Sequence, residues 1–298
     1  MASKSQCHSP WGEDTKGLYI LTDEDVEKLH DVLLEMYKEL KSVCEKHNIH
    51  LIAAGGTAIG AVRHQGFIPW DDDMDIFLFR EEFEKLKKIF DHELGDRYYL
   101  LATGTKNGAN CFLPRIMKKG TTLLGMIDET APYPHGIYID INIIEYAPEK
   151  MKYFMWKSLV ANIIRFISYS VYWYQYKSNS LKNYMLSSKG ATYYRLRMFI
   201  GKIFSFRSAE RWFASFDKYV QGKKSSVVTV PSGTKKYNGE RLDIKVINPL
   251  KKVPFEDTEI YIFNNYDFYL SNLYGDYMTI PQVEQREHHL CIKLSFID

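Results

Sequence analysis

The sequence predicts an α+β fold in which a small mixed β-sheet is flanked by helices and carries a helical insertion rich in basic and aromatic residues. Short apolar runs bounded by turn residues alternate with longer stretches whose apolar residues recur at helical spacing. A cluster of aspartates stands directly before one of the apolar runs. Residues 150–224 differ in composition from the rest of the chain.

The length and composition allow one large domain or one domain with an appendage. The chain has 298 residues, of which 45% are apolar and 26% are charged, as in ordinary globular proteins. We divide it into an N-terminal tail (1–20), a catalytic core (21–149), a basic helical insertion (150–224) and a C-terminal part that completes the catalytic domain (225–298).

The cysteines and the N-terminal residues predict a cytoplasmic protein. Cys7, Cys44, Cys111 and Cys291 are scattered and lack the spacing of a zinc site, which is typical of free thiols in a reducing compartment. The N-terminal residues are polar and do not contain the apolar region of a signal peptide.

The first predicted elements are a helix and a short buried strand that leads into two glycines. Thr22 begins the helix with Asp25 in the capping-box position, and the helix should end near Asn48. Leu51–Ala54 is the strand, and Gly55–Gly56 follows it directly. Two glycines at this point allow the backbone to approach a ligand closely, and the next helix directs its N–H groups at that ligand.

The aspartate cluster predicts a site for a divalent cation. Four aspartates occur within five residues, without a Lys or Arg among them: Asp71, Asp72, Asp73 and Asp75. Met74–Phe79 is apolar and is predicted to be a strand, so Asp73 and Asp75 point the same way, about 6.6 Å apart along the chain. Carboxylates in an apolar context need compensation, and oxygen ligands with open positions for phosphate suit magnesium. The alternative is a solvated loop or helix cap, against which the apolar strand argues.

Another carboxylate is predicted on a later strand. Arg80–Leu94 first forms an amphipathic helix, and Phe112–Met117 forms a strand that carries Arg115. In the strand His135–Ile144, isoleucines line one face and Asp140 stands in the middle of the other. A buried acid needs a partner, and the cation at the aspartate cluster is the candidate. Alternatively, Asp140 lies on the solvent face of an edge strand.

The insertion is strongly basic. Residues 150–224 contain fifteen Lys or Arg and only Glu210 and Asp217 as acids, a formal charge of +13. Because the whole chain carries +2, the remainder carries −11. The most apolar part, 158–176, contains Arg165 and several polar residues, so it is a poor membrane-spanning helix.

Two roles fit the insertion about equally well. It either lies in the interface of an anionic membrane, with aromatic residues at headgroup level, or forms a helical lid packed on the catalytic part. Nucleic acid is not an expected partner, because the sequence contains no recognised nucleic-acid-binding module.

The C-terminal part is predicted to supply two more strands and a short helix. The strands are Val227–Val230 and Glu259–Phe263, and the helix is Tyr266–Leu273. Turn residues then precede three side chains that can receive phosphate or donate a proton: Arg286, His288 and His289.

These motifs resemble the LicD family of phosphorylcholine transferases, which also includes fukutin and fukutin-related protein. The resemblance rests on GGTAIGAVRHQGFIPWDDDMDI, on GIYIDI and on the terminal pattern YGDYM…P…R…H, and covers roughly 22–148 and 227–289. It implies a nucleotidyltransferase-type fold in which strand carboxylates hold magnesium, with manganese as a substitute. Carried over to this chain, the catalytic metal ligands are Asp73, Asp75 and Asp140, with Asp71 as an accessory ligand.

The resemblance also implies a reaction. We expect phosphocholine to pass from CDP-choline to a hydroxyl of a surface glycan or teichoic-acid-type precursor, with release of CMP. Asp140 would orient or deprotonate that hydroxyl. Choline would enter an aromatic cage, for which Trp70, Tyr133 and Tyr138 are candidates. The residues expected to bind the substrates are Gly55, Gly56, Thr57, Arg63, His64, Arg115, Arg286 and His288.

Three alternatives remain open. The donor is another CDP-alcohol, such as CDP-ribitol, CDP-glycerol or CDP-ethanolamine. The protein is a nucleotidyltransferase that attaches a nucleoside monophosphate. Or it is an inactive assembly factor docked on a membrane through residues 150–224, against which the retention of every acid in the motif argues.

Overall fold

The computed structural model describes residues 18–297 except residues 110, 287 and 288, so most of the predicted N-terminal tail lies outside the described residues. The described residues form a mixed β-sheet flanked by helices, a two-stranded ribbon, and four consecutive helices within residues 150–224. The predicted α+β class is confirmed.

Helices and strands are numbered in chain order. The helices are α1 (Asp23–Lys46), α2 (Gly55–Arg63), α3 (Arg80–Glu93), α4 (Met151–Gln175), α5 (Asn179–Leu186), α6 (Ala191–Phe204), α7 (Ala209–Val220), α8 (Lys236–Gly239), α9 (Ile244–Ile247) and α10 (Tyr266–Tyr274). The strands are β1 (Ile52–Ala53), β2 (Asp75–Phe79), β3 (Tyr98–Leu101), β4 (Arg115–Lys118), β5 (Thr122–Gly125), β6 (Tyr138–Tyr146), β7 (Val227–Thr229), β8 (Leu242–Asp243), β9 (Lys251–Phe255), β10 (Thr258–Ile262) and β11 (Cys291–Ser295).

The sheet combines strands from both sides of the insertion. Its order is β3-β4-β6-β2-β1-β10-β9, and β7 pairs with β6 and β8. The pairs β2–β6 and β1–β10 are parallel, whereas the other pairs are antiparallel. The C-terminal strand β11 pairs with β5 in a separate antiparallel ribbon.

The first helix begins as predicted. Thr22 Oγ1 accepts the Asp25 N–H at 3.1 Å, and Asp25 Oδ2 accepts the Thr22 N–H at 2.8 Å, which is the reciprocal bonding of a capping box. Strands were harder to delimit: β4 and β6 each begin three residues later than predicted. The edge strand β9, with the sequence KKVPF, was not predicted, because two lysines and a proline hide its strand character.

The central strands are buried on one face by aliphatic side chains. Ile76 and Leu78 of β2 and Ile139 and Ile141 of β6 have no exposed surface. Full burial of such a side chain contributes about 1.5–3 kcal/mol, so these residues fix which face of each strand points inward. The alternation along β2 therefore sends Asp75 to the opposite face from Ile76.

The insertion packs on the catalytic part through one side of α4. Ala161 and Val171 are buried, and Arg165 Nη1 donates to the carbonyls of Pro231 and Gly233, both at 3.1 Å. Within the described part of the chain, none of the helices combines the length and the apolar character needed to cross a bilayer. The expectation of a poor membrane-spanning helix is thereby confirmed.

Candidate active site

One large cleft of about 620 Å³ brings together most of the residues singled out in the sequence. It lies where the carboxylate-bearing ends of β2 and β6 meet the start of α2 and the segment after α10. The predicted site residues that line it are Gly55, Gly56, Arg63, Asp71, Asp73, Asp75, Asp140 and Arg286. Three other predicted residues, Thr57, His64 and Arg115, do not line the cleft but form hydrogen bonds with residues that do. His288 lies outside the described residues.

The two glycines open the floor of the cleft at the N-terminus of α2. Gly55 has a φ of +47°, a conformation that favours glycine. At Gly56 a Cβ would stand 2.5 Å from Asp71 Oδ2, so only a glycine allows this carboxylate to approach. Ala54, the residue before the helix, supplies no side-chain cap, which leaves the first N–H groups of α2 directed at the cleft.

Asp75 and Asp140 are neighbours on parallel strands. The register of β2 and β6 pairs Asp75 with Asp140, so the two side chains project from the same face. Asn142 Nδ2 donates to Asp75 Oδ1 at 3.0 Å, and Thr57 Oγ1 accepts the Asp75 N–H at 2.9 Å. Thr57 therefore fixes the backbone at Asp75 instead of lining the cleft.

Asp140 has a basic partner that sequence spacing did not indicate. Arg115 Nε donates to Asp140 Oδ1 at 2.8 Å, and the guanidinium lies 4.2 Å from the centre of the Tyr138 ring. The antiparallel register of β4 and β6 places Arg115 directly beside Asp140. Burial raises the pKa of Asp140 above its usual value, and Arg115 opposes that rise. Arg115 thus orients the Asp140 carboxylate.

The carboxylates of the cleft repel one another. Burial, followed by the charge of Asp73, holds the pKa of Asp71 well above its usual range. The same causes raise the pKa of Asp75, with a further contribution from Asp140. Oxygen donors crowded in this way match the ligand chemistry of a hard divalent cation, which would relieve their repulsion.

A histidine from the C-terminal segment joins the other side of the cluster. The His289 N–H donates to Asp72 Oδ2 at 2.9 Å, and His289 Nδ1 lies 2.6 Å from Asp72 Oδ1. This contact raises the pKa of His289 to about 10. Among the described residues, Asp72, Asp73 and His289 offer ligand atoms within 4.8 Å of one another. From the sequence, His289 was only one of three candidates for phosphate or proton chemistry, and its hydrogen bonds to Asp72 were not predicted.

Arg63 and Arg286 line the cleft and are engaged in contacts that shape it. Arg63 Nη1 donates to the Tyr277 carbonyl at 2.6 Å, and its Nε donates to His64 Nε2 at 2.9 Å. The Arg286 guanidinium lies 3.9 Å from the centre of a Trp70 ring. These contacts join α2 and the loop before β2 to the segment that follows α10.

The aromatic residues proposed for choline lie in different surroundings. Trp70 lines the cleft and already stacks on Arg286, whereas Tyr138 stacks on Arg115. Tyr133 packs near Tyr176 and does not line the cleft. Tyr274, which sequence reasoning did not select, lines the cleft with half of its surface exposed.

A loop after β7 forms part of the wall and was also missed. Ser232, Gly233 and Lys235 belong to the lining, and Arg165 holds the loop by its carbonyls. At Gly233 a Cβ would lie 2.0 Å from an oxygen of the buried Glu240. A short run of Pro, Ser, Gly and Thr predicts a turn, but it does not indicate that the turn lies beside the cleft in the folded protein.

The mixed sheet and its acidic cleft form a domain in which carboxylates lie beside a helix N-terminus, an arrangement suited to phosphate chemistry. Residues 48–107 match the family described as LicD/FKTN/FKRP, nucleotidyltransferase domain. Residues 48–107 are thus similar to the nucleotidyltransferase domain of the LicD family, and the resemblance drawn from the motifs is confirmed.

Two relatives illustrate how far the similarity extends. The lipopolysaccharide cholinephosphotransferase LicD of Haemophilus influenzae is 27% identical over 269 residues, which cover 87% of this chain and 94% of that protein. An uncharacterized protein of Rickettsia prowazekii is 41% identical over 75 residues, or 23% of this chain and 28% of that protein. The first similarity therefore extends well beyond residues 48–107.

Proposed function

We propose that this protein transfers phosphocholine from CDP-choline to a hydroxyl of a surface glycan or teichoic-acid-type precursor and releases CMP. The main support is the cleft itself, which places the N-terminus of α2 beside carboxylates on β2 and β6. The similarity to a protein named as a lipopolysaccharide cholinephosphotransferase supports choline and a glycan as the two substrates.

The side chains of the cleft have distinct roles in this proposal. The N–H groups at Gly55 and Gly56 bind the diphosphate of the donor, and Arg286 neutralises part of its charge. The acceptor oxygen attacks the phosphorus that carries choline, and the bond from that phosphorus to the bridging oxygen breaks, so that CMP leaves. Asp140, oriented by Arg115, positions the acceptor hydroxyl and receives its proton.

Magnesium, with manganese as a substitute, belongs to the same proposal. The residues that would hold it are Asp71, Asp73, Asp75 and Asp140. The crowding of their carboxylates, which raises the pKa of Asp71 and Asp75, supports a cation at this position. When bound, the ion supplies positive charge that offsets the diphosphate and the departing CMP.

The location of the reaction follows from the expected acceptor. Surface-glycan precursors are built on membranes, so we propose that the protein works in the cytoplasm at the inner face of the membrane. Peripheral contact with anionic lipid through residues 150–224 is part of this proposal.

A panel of donors tests the reaction. The protein is incubated with magnesium, lipopolysaccharide and CDP-choline, CDP-ethanolamine, CDP-ribitol or CDP-glycerol, and CMP release is measured. We expect release to be fastest with CDP-choline and to stop on chelation. Faster release from another CDP-alcohol would change the donor but not the chemistry.

The same assay separates the remaining alternatives. Pyrophosphate release from a nucleoside triphosphate, without CMP release from any CDP-alcohol, would indicate a nucleotidyltransferase. Failure to bind magnesium or any CDP-alcohol would indicate the inactive assembly factor.

A further inference from the structure

The first half of α4 presents an exposed apolar stripe. Trp156, Leu159 and Ile163 are 66%, 52% and 49% exposed. They follow one another at spacings of three and four residues, so they lie on one face of the helix. Isolated apolar residues are common on protein surfaces, but three full-sized side chains in one stripe mark a surface that is usually covered.

The second half of the same face shows how such a stripe is covered inside this protein. Phe166 and Ser170 continue the spacing from Ile163 by three and four residues, and α6 lies over them. Arg197 Nη1 donates to the Phe166 carbonyl at 3.3 Å, and Gly201 approaches the Ser170 carbonyl so closely that a Cβ would lie 2.1 Å from it. The helix α6 therefore covers this face of α4 near Phe166 and Ser170 and leaves the same face exposed in the first half of α4.

The outward side of α6 is apolar as well. Leu196, Phe199 and Ile203 are 48%, 61% and 50% exposed and again share one face, which points away from the side that carries Arg197 and Gly201. We define the outer surface as these residues together with the stripe on α4: Trp156, Leu159, Ile163, Leu196, Phe199 and Ile203.

Basic residues lie next to both apolar stripes of the outer surface. Lys152 stands one turn before Trp156 on α4, and Arg195 and Lys202 flank the stripe on α6; all three are exposed. Neither helix contains an Asp or a Glu. Within the described part of the chain, none of these three cations forms an ion pair.

We propose that the outer surface docks on an anionic lipid bilayer, with its apolar side chains at the headgroup boundary and its Lys and Arg facing lipid phosphate. This deepens the membrane contact of the proposed function and does not depend on the transfer reaction. A lid is a poorer match, because none of the six residues lines the cleft. A second copy is also a poorer match, because two insertions of formal charge +13 would meet face to face.

Flotation with lipid vesicles tests the proposal on the full chain. The protein is mixed with phosphatidylcholine vesicles that contain either no anionic lipid or about 30% phosphatidylglycerol, at low and at high salt. We expect binding to the anionic vesicles at low salt and a decrease of about tenfold or more at high salt, because salt screens the charge contacts.

Two pairs of variants assign the binding to the outer surface. Trp156→Ser combined with Phe199→Ser removes apolar contacts, and its matched control is Phe268→Ser, an exposed aromatic residue on α10. Changing Lys152, Arg195 and Lys202 to Glu reverses the basic rim. Its control changes Lys85, Lys245 and Lys293 to Glu, which gives the same change in net charge elsewhere.

The outcomes are separable from those of the donor panel, since vesicle binding needs neither donor nor acceptor. Loss of binding in both outer-surface variants, with both controls unaffected, supports the proposal. Absence of binding at low salt, or equal loss in the controls, overturns it. Concentration-dependent self-association of the wild type that the Trp156→Ser and Phe199→Ser variant loses, without vesicle binding, assigns the surface to a second copy and also overturns it.

Discussion

Gly56 is a residue at which the shape of the cleft is sensitive to a single methyl group. An alanine there would bring its Cβ within 2.5 Å of Asp71 Oδ2, so the carboxylate must move away from the start of α2. We expect Gly56→Ala to lower kcat/KM for the CDP-alcohol by about 100-fold, as is typical when a positioned group shifts by about 1 Å. Steady-state CMP release measures the change.

The matched control for this substitution is Gly125→Ala. Gly125 has a φ of −75°, and a Cβ there would meet no atom within 4 Å. It should keep wild-type activity. If Gly56→Ala were equally active, contact between Asp71 and the start of α2 would be irrelevant to the reaction.

In the proposed reaction, Asp75 and Asp140 are the central carboxylates. Replacing either by Asn keeps the size of the side chain and removes its charge, so we expect turnover to fall by about 1,000-fold, or about 4 kcal/mol of transition-state stabilisation. Far-UV circular dichroism should stay unchanged. A variant that turned over like the wild type would exclude that carboxylate from the reaction.

At the scale of single elements, the loop between β7 and α8 should respond to pH through Glu240. This side chain is 3% exposed, and burial raises its pKa to about 7, although Lys235 and Arg165 oppose the rise. An acid whose pKa is higher in the folded than in the unfolded protein stabilises the fold below its unfolded pKa of about 4.3. That contribution disappears as the pH rises through 7.

Glu240→Gln removes this titration and keeps the side chain's shape. The wild type should therefore lose about 2 kcal/mol of unfolding free energy relative to the variant between pH 5 and pH 8. Urea unfolding at each pH measures the difference, and other titrating groups cancel because both proteins contain them. A constant difference across this range would show that Glu240 is ionised normally.

The strands that carry the site were predictable because alternation leaves little choice. The isoleucines of β6 must face the core, which sends Asp140 to the other side, and the same argument applies to Asp75 on β2. The partners of these acids were not predictable. Arg115 reaches Asp140 through the register of β4 and β6, and His289 reaches Asp72 across 217 residues of chain. Neither relation leaves a local pattern in the sequence.

For the whole molecule, binding of magnesium should increase the stability of the folded state. A ligand that binds only the folded state at 100 times its dissociation constant adds about 2.7 kcal/mol to the free energy of unfolding. We expect the melting temperature to rise with added magnesium and to return on chelation, as measured by calorimetry.

Asp73→Ala provides the comparison, and its melting temperature should not respond to magnesium. A wild-type melting temperature that ignores both magnesium and manganese would contradict the metal assignment, whatever the activity.

The class of fold was easier to predict from the sequence than the way in which its strands pair. The class of fold, the main helices and the change in composition at residue 150 follow from periodicity and charge. How the later strands join the sheet does not, because β10 pairs in parallel with β1 although some 200 residues separate them. The sequence alone also did not decide whether the insertion is a lid or a membrane-facing element. The answer depends on which helix faces are buried by packing, and packing is a property of the tertiary structure.

The parallel register of Asp75 and Asp140 also limits how this protein can vary over evolutionary time. Surface loops that do not line the cleft can lengthen or shorten without disturbing it, because loop closure costs little. Insertion or deletion of one residue inside β6 upstream of Asp140 would turn that acid toward the aliphatic layer and bring an isoleucine to the cleft. Homologues that keep this chemistry should therefore differ freely in loop length while the spacing within β6 stays constant.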